Sequence, residues 1–237
     1  PMKRFISLTC LLAAAATAQA APITLNFEGI ASHPNGNNVL INDYYNGGTA
    51  SNGNSGTDYG VEFVGDALLL CLNTTSVICS NTSKGGGGVA GSDLGAMFFI
   101  DSNPIMNVAA GFATGFSFSY TNPFAFNVGI EIWDSLNATG NLLATISSLP
   151  GTTNGNLGAC SAYGGPNYCP FFDFSVGFAG VAKSVSFTGT TNASVYDDFT
   201  FGSVDVGGGG GTVPEPTSLA LVGLALAGVS AARRRKA

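Results

Sequence analysis

What this 237-residue chain lacks above all is positive charge. It carries eight Lys and Arg against 14 Asp and Glu, and six of the eight cations sit at the two ends, at positions 3, 4 and 233–236. Between Ala21 and Val206 only Lys84 and Lys183 remain, facing 13 acidic residues, a formal charge of −11. Such a surface repels phosphate backbones, which excludes nucleic acid as the partner. Histidine is almost absent. His33 stands alone in the turn-like HPNGNN, and no G-x-S-x-G accompanies it, so a Ser-His-Asp triad has no support. The glycines at 85–88 are followed by no G-K-[ST], so they are not a phosphate loop. No carboxylate pair stands out among the 13 acids, and no catalytic function is legible. A sustained helical period is also missing from the interior of the chain.

The ends are richer in information. Lys3 and Arg4 precede an apolar run from Phe5 to Ala16, and Ala18-Gln19-Ala20 follows as a small-x-small site. This order predicts a secretory signal helix over 1–20, removed by signal peptidase, and hence an exported chain. At the other end GGGGG occupies 207–211, then Val213-Pro214-Glu215-Pro216, then 16 uncharged residues from Thr217 to Ala232, then Arg233-Arg234-Arg235-Lys236. Sixteen residues make a helix of about 24 Å, short against a hydrocarbon core of about 30 Å. Arginines that snorkel to the headgroups recover part of the deficit and keep that end cytoplasmic. The expected plan is a signal peptide at 1–20, an exported domain at 21–206, a glycine-rich linker at 207–212 and a membrane-directed tail at 213–237.

Export also frames the cysteines. Cys10 leaves with the signal, and Cys71, Cys79, Cys160 and Cys169 allow three pairings. An oxidising compartment favours disulfides. The local pairing, Cys71–Cys79 and Cys160–Cys169, closes two short loops, each worth about 2–3 kcal/mol in the chain-entropy model. Gaps of seven and eight residues are too wide for the close cysteine pairs of a zinc site.

The interior alternates apolar and polar residues in short runs. ITLNF places Ile23, Leu25 and Phe27 on one face, and FSFSY does so with Phe116, Phe118 and Tyr120. FNVGIEI, SVSFTG and LLATISSL continue the pattern; VYDDFTF offers Val195, Phe199 and Phe201, with Asp197 interrupting that face. Sixteen of the 17 Phe fall between Phe27 and Phe201, and aromatics suit pleated, half-buried surfaces. The expected fold is all-β, a two-sheet antiparallel sandwich of jelly-roll type with long polar loops at its rims. Trp133, on the face opposite Ile130 and Ile132, is a candidate platform for a sugar ring, and Tyr44 and Tyr45 offer further rings; the outer layer of the core is the competing reading.

The tail resembles the PEP-CTERM sorting signal of exported bacterial proteins: Val213-Pro214-Glu215-Pro216, a short apolar helix and an Arg-rich end, in that order. The resemblance implies an exosortase that recognises Pro-Glu-Pro and removes the helix. It also implies a Gram-negative host that makes exopolysaccharide, an inner-membrane intermediate, and a mature protein at the cell surface or in the matrix. More loosely, NFEGI and SVYDDFTFGSV are similar to the first and last strands of jelly-roll carbohydrate-binding modules. That likeness implies a structural calcium held by Glu28 and Asp198, with Asp197 beside them. Calcium needs six to eight oxygens, so backbone carbonyls and waters complete the shell; plain solvation explains the same acids equally well. The expectation is a structural or adhesive surface protein, non-catalytic, with glycan binding as a further property. The alternative is a secreted enzyme acting on extracellular polysaccharide.

Overall fold

Two strands of 17 residues organise the fold. β6 (Ile105–Thr121) and β9 (Phe172–Thr188) pair antiparallel along their lengths, with Ile105 opposite Ser186 at one end and Tyr120 opposite Phe172 at the other. In the computed structural model, residues 21–32, 38–73, 85–86, 94–102, 104–122, 125–152, 171–192 and 194–208 are described. The other strands are β1 (Ile23–Leu25), β2 (Val61–Val64), β3 (Ala67–Asn73), β4 (Gly85–Gly86), β5 (Gly95–Phe99), β7 (Gly129–Trp133), β8 (Leu142–Ile146) and β10 (Val195–Phe201). All pairings are antiparallel except the short β3–β4 contact.

The hydrogen bonds link the strands into one network, in the order β4-β3-β5-β10-β6-β9-β7-β8, with β1 added on β10 and β2 on β6. Ring contacts show how that network becomes two layers. Phe187 lies at the end of β9 near Ile105, and Tyr196 is opposite Tyr120 at the other end of β6. Fifteen residues of straight strand would separate those levels by about 50 Å, yet the rings of Phe187 and Tyr196 have centroids 5.5 Å apart. The β6–β9 ribbon therefore bends back on itself. Its register shifts between Asn107 and Phe112 and again between Ala113 and Gly115. Gly111 (φ 75°) and Thr114 (φ 75°) have the positive φ that such bulges impose. One layer is β2-β6-β9-β7-β8, and the other is built from β3, β5, β1, β10 and the remaining halves of β6 and β9. The all-β, sandwich-like architecture expected from the alternation is present, with two strands shared between the layers.

A single aromatic core fills the space between. Phe27, Phe99, Phe116, Phe118, Phe187, Tyr196, Phe199 and Phe201 are all fully buried. β10 departs from the simple alternation. Asp198 takes φ 50° and the register to β6 shifts between Asp197 and Thr200. That extra residue lets Tyr196 and Phe199, three apart, both face the core, whereas Val195 belongs to a smaller cluster with Leu70, Leu72 and Ala96. The expected core face of Val195, Phe199 and Phe201 is corrected to Tyr196, Phe199 and Phe201. A bulge that reverses parity within a strand is the reason.

After β10 the chain turns through a 3-10 segment, Val206–Gly208. Gly207 N–H donates to Thr200 Oγ1 at 3.0 Å and Gly208 N–H to Asp205 O at 3.1 Å. The first two of the five glycines are thus tied to the domain. Among the described residues no helix is long and apolar enough to cross a membrane. The expected signal helix, the apolar helix at 217–232 and the sorting residues Val213–Pro216 and Arg233–Arg235 lie outside the described residues, as do His33 and Cys79, Cys160 and Cys169. Cys71 is buried on β3.

Candidate functional site

The outer face of the β2-β6-β9-β7-β8 layer gathers polar side chains around the single tryptophan. Register places Glu62, Asn107, Ser184 and Trp133 in one row, and Leu142 next to Trp133. The adjacent row runs Val64, Ile105, Ser186, Glu131, Thr145. Ile130 and Ile132 point the other way and are buried, so GIEIW behaves as its period of two dictates. Trp133 is half-buried. Its Nε1–H donates to Ser186 Oγ at 3.3 Å, and Ser186 Oγ–H donates to Glu131 Oε2 at 3.5 Å. Ser186 lies diagonally from Trp133 across the β7–β9 pair, so the indole is turned along the sheet towards Glu131. Beside it Leu142 remains exposed, at 48%, and Val64 on the far strand β2 at 39%.

A loop holds the other flank of this face. Asn107 Nδ2 donates to Glu62 Oε2 (3.0 Å) and Asn137 Oδ1 (2.8 Å), and Asn137 N–H donates back to Asn107 Oδ1 (2.8 Å). Ser184 Oγ accepts from Ala138 N–H and donates to Ser135 O. Asp134 secures the loop base through Asn141 N–H (2.9 Å) and Nδ2 (2.7 Å). These bonds, with the Lys183 charge nearby, hold its carboxyl below the usual range. Trp133 and Glu131 are legible from the strand period alone. Glu62 and Asn107 join them only through a register spanning more than 40 residues, which no local signal reveals.

The second cluster is acidic. Glu28 Oε1 accepts from Leu94 N–H at 2.9 Å and Gly95 N–H at 2.5 Å. A Cβ at Gly95 would sit 2.5 Å from Phe27 O and 3.0 Å from Glu28 Oε1, so glycine is required for this approach. Asp198 is 5% exposed. Burial first, then the neighbouring Asp173 and Glu28 carboxylates, push its carboxyl up to about 6. The structure thus brings Glu28 and Asp198 together and adds Asp173, which the sequence did not single out. Asp197 is fully buried; its Oδ1 accepts from Asp198 N–H at 2.8 Å. In register Asp197 faces Ser119, and Ser119 faces Asp173, whose Oδ1 accepts the Ser119 hydroxyl at 2.5 Å. Among the described residues no group of three or more His, Cys, Asp or Glu is arranged to hold a metal ion. An open depression of about 370 Å³ is lined by Asp173 and Ser175 on one side and by Val204 and Asp205 on the other.

Tyr44 and Tyr45, considered above as sugar platforms, are 6% and 4% exposed. They pack edge-on against each other at 4.9 Å, and Tyr45 packs against Phe27 at 6.1 Å. They fasten the loop after β1 to the core, so that of these three rings only Trp133 is partly exposed.

Asp198 supplies a pH test in metal-free buffer. Its folded pKa lies above the ordinary value of about 3.9, so the native state holds the proton more tightly than the unfolded chain does. The stability from this group is fully present below about pH 4 and is lost as pH rises through about 6. Asp198→Asn removes that dependence, and Asn tolerates the positive φ. The variant is expected to exceed the wild type at pH 7 by on the order of 1–3 kcal/mol, with the gap closing by pH 4. Urea titrations at both pH values measure it; an equal gap at the two pH values contradicts the assignment.

Residues 212–236 match the family model of the PEP-CTERM protein-sorting motif. No curated protein matches the chain. Among solved structures, the body is similar to a carbohydrate-binding module (CBM6cm-2) from Cellvibrio mixtus lichenase 5A in complex with cellotriose. The identity is 12%, covering 53% of this chain and 84% of that one, at a TM-score of 0.27. It is also similar to a family 6 carbohydrate-binding module studied by sub-site dissection, at 19% identity over 71% and 95% of the two chains and a TM-score of 0.31. At such scores neither likeness decides fold or function; the all-β architecture rests on the strands themselves. The chain carries a PEP-CTERM sorting signal, and such a signal implies exosortase-sorted export through a membrane-anchored intermediate.

Proposed function

We propose that the protein is a non-catalytic, structural or adhesive component of the cell surface or exopolysaccharide matrix. It is delivered by its sorting tail and binds glycan on the outer face that carries Trp133. The observation that carries the reading is the sorting motif at 212–236. The fixed, half-buried indole beside Glu131 supplies what a sugar needs, an apolar ring with a hydrogen-bonding carboxylate at its rim. The two carboxylates of this face stand on different strands and have separate partners. Glu62 is bonded to Asn107 and Glu131 to Ser186, on strands three spacings, or about 14 Å, apart. Each carboxylate is thus taken up by a neighbouring side chain of the sheet, an arrangement suited to holding a ligand in place. Fractionation of the native host tests the reading: protein in the surface or matrix fraction is expected, and protein confined to the cytoplasm refutes it.

Calcium is part of the proposal. Asp198, Glu28 and Asp173 set negative charge into a buried corner, and Lys183, the one Lys or Arg among the described residues, lies by Asp134 instead. Glu28 and Asp198 would be the side-chain ligands, with backbone carbonyls and water completing the shell, and the ion would stabilise the junction of β1, β5 and β10. Saturation at 100-fold over Kd adds about 2.7 kcal/mol. EDTA is therefore expected to lower the melting temperature by several degrees, and Glu28→Ala to abolish that shift; a melting curve indifferent to chelation removes calcium from the account.

A further inference from the structure

The charges around Trp133 narrow the class of glycan, on the reading that this face binds glycan at all. We propose that its ligand is a polysaccharide bearing ammonium groups, a partly or wholly de-N-acetylated amino-sugar polymer.

Three observations lead there. First, the indole is fixed and tilted towards a carboxylate. Trp133 Nε1–H is bonded to Ser186 Oγ, which is itself bonded to Glu131 Oε2. A sugar stacked on the ring therefore has a carboxylate at its rim, about two residues of strand away, or roughly 7 Å between backbones. Second, among the described residues the face carries no compensating cation. Its second carboxylate, Glu62, has an amide for a partner, Asn107 Nδ2, at 3.0 Å. Lys183 is next to Ser184 in β9, but its charge acts on Asp134 at the loop base. Third, the stretch from Ala21 to Val206 has a formal charge of −11, so a polycation is drawn to it and a polyuronate is repelled.

An ammonium on the sugar satisfies all three. It pairs with Glu131 in place of the weak serine contact at 3.5 Å, and a neighbouring ammonium can lie over the indole face, where the ring quadrupole attracts cations. Along the row, repeated ammonium groups meet Glu62 at the far edge. A neutral N-acetylated sugar can still stack but forfeits both charge contacts. A uronate adds repulsion between like charges.

Calorimetry on the full chain in mild detergent tests this with three probes: a β-1,4-linked glucosamine hexamer, its N-acetylated counterpart and an oligouronate. The glucosamine hexamer is expected to bind at least tenfold more tightly than the acetylated one at 50 mM salt. At 0.5 M salt, where the screening length is a few ångströms, the preference should shrink to about twofold. Trp133→Ala should weaken glucosamine binding at least tenfold, and Trp133→Tyr should keep most of it. Glu131→Gln should erase most of the preference for the deacetylated probe, weakening glucosamine binding several times more than acetylated binding. Equal or tighter binding of the acetylated hexamer overturns the ammonium assignment and leaves glycan binding standing. Unchanged binding by Trp133→Ala reduces the effect to diffuse attraction and overturns the site. Failure of all three probes and of a broad glycan array removes the glycan reading as well.

Discussion

Phe199→Ala is expected to lower the unfolding free energy by about 3–5 kcal/mol, the range for removing a fully buried aromatic ring. Phe199 is the ring on which the two layers close. It lies within 6 Å, centroid to centroid, of Phe27, Phe116, Phe118, Phe187 and Tyr196, drawn from β10 itself, both halves of the β6–β9 ribbon and the loop after β1. Neighbours from both layers cannot collapse into the space without moving the strands, so the cavity term is retained and the upper half of the range is expected. For a domain of this size each kcal/mol is worth roughly 2–4 °C, which predicts a fall in melting temperature of about 10 °C or more. Phe172→Ala is the control. It removes the same ring from a position 49% exposed and should change stability by no more than about 0.5 kcal/mol. Thermal and urea unfolding of the two variants decide the matter. Equal effects would mean that the layers do not share this core.

The contrast between those two phenylalanines also marks what was legible in the sequence. Alternation in FSFSY and SVSFTG placed Phe116, Phe118 and Phe187 in the core, where they are buried. It said nothing of the first half of β6. IMNVAAGFAT holds two bulges and positive φ at Gly111 and Thr114, so its side chains do not keep a period of two. The same physics misplaced Val195 and Tyr196, because the extra residue at Asp198 inverts the faces upstream of it. A DD pair inside an aromatic strand was the only local hint, since Asp accepts the left-handed region more readily than most residues. The candidate sites divide in the same way. Trp133 and Glu131 follow from one strand's pleat. The meeting of Glu28 with Asp198 came from a likeness to other proteins' end strands, and Asp173 and Glu62 required the cross-strand register, which is a property of the whole sheet.

The largest effect expected of any change in the chain lies in the tail. If the sorting signal is processed, the mature protein should lack Arg233-Arg234-Arg235-Lys236, and an intact C-terminus in an exosortase-bearing host would refute the proposal. Mass alone does not decide this, because removal of residues 1–20 also takes the product below the 23.9 kDa of the full chain. The intact mass must be read with the new N-terminus known. Replacing Pro214, Glu215 and Pro216 by Ala should convert complete processing into none and hold the protein in the membrane fraction. The reason lies in the two prolines. Each fixes φ and lacks an N–H, and the residue before each is driven towards extended backbone, the conformation in which proteases read a chain. Alanine removes both constraints and favours helix. The charge change gives an independent reading of the same event. Loss of the four terminal cations leaves a body whose formal charge is −11 over Ala21–Val206, so the processed protein should bind an anion-exchange column far more tightly than the unprocessed variant. A variant that co-elutes with the wild type would mean that the Pro-Glu-Pro motif makes no difference to removal of the tail.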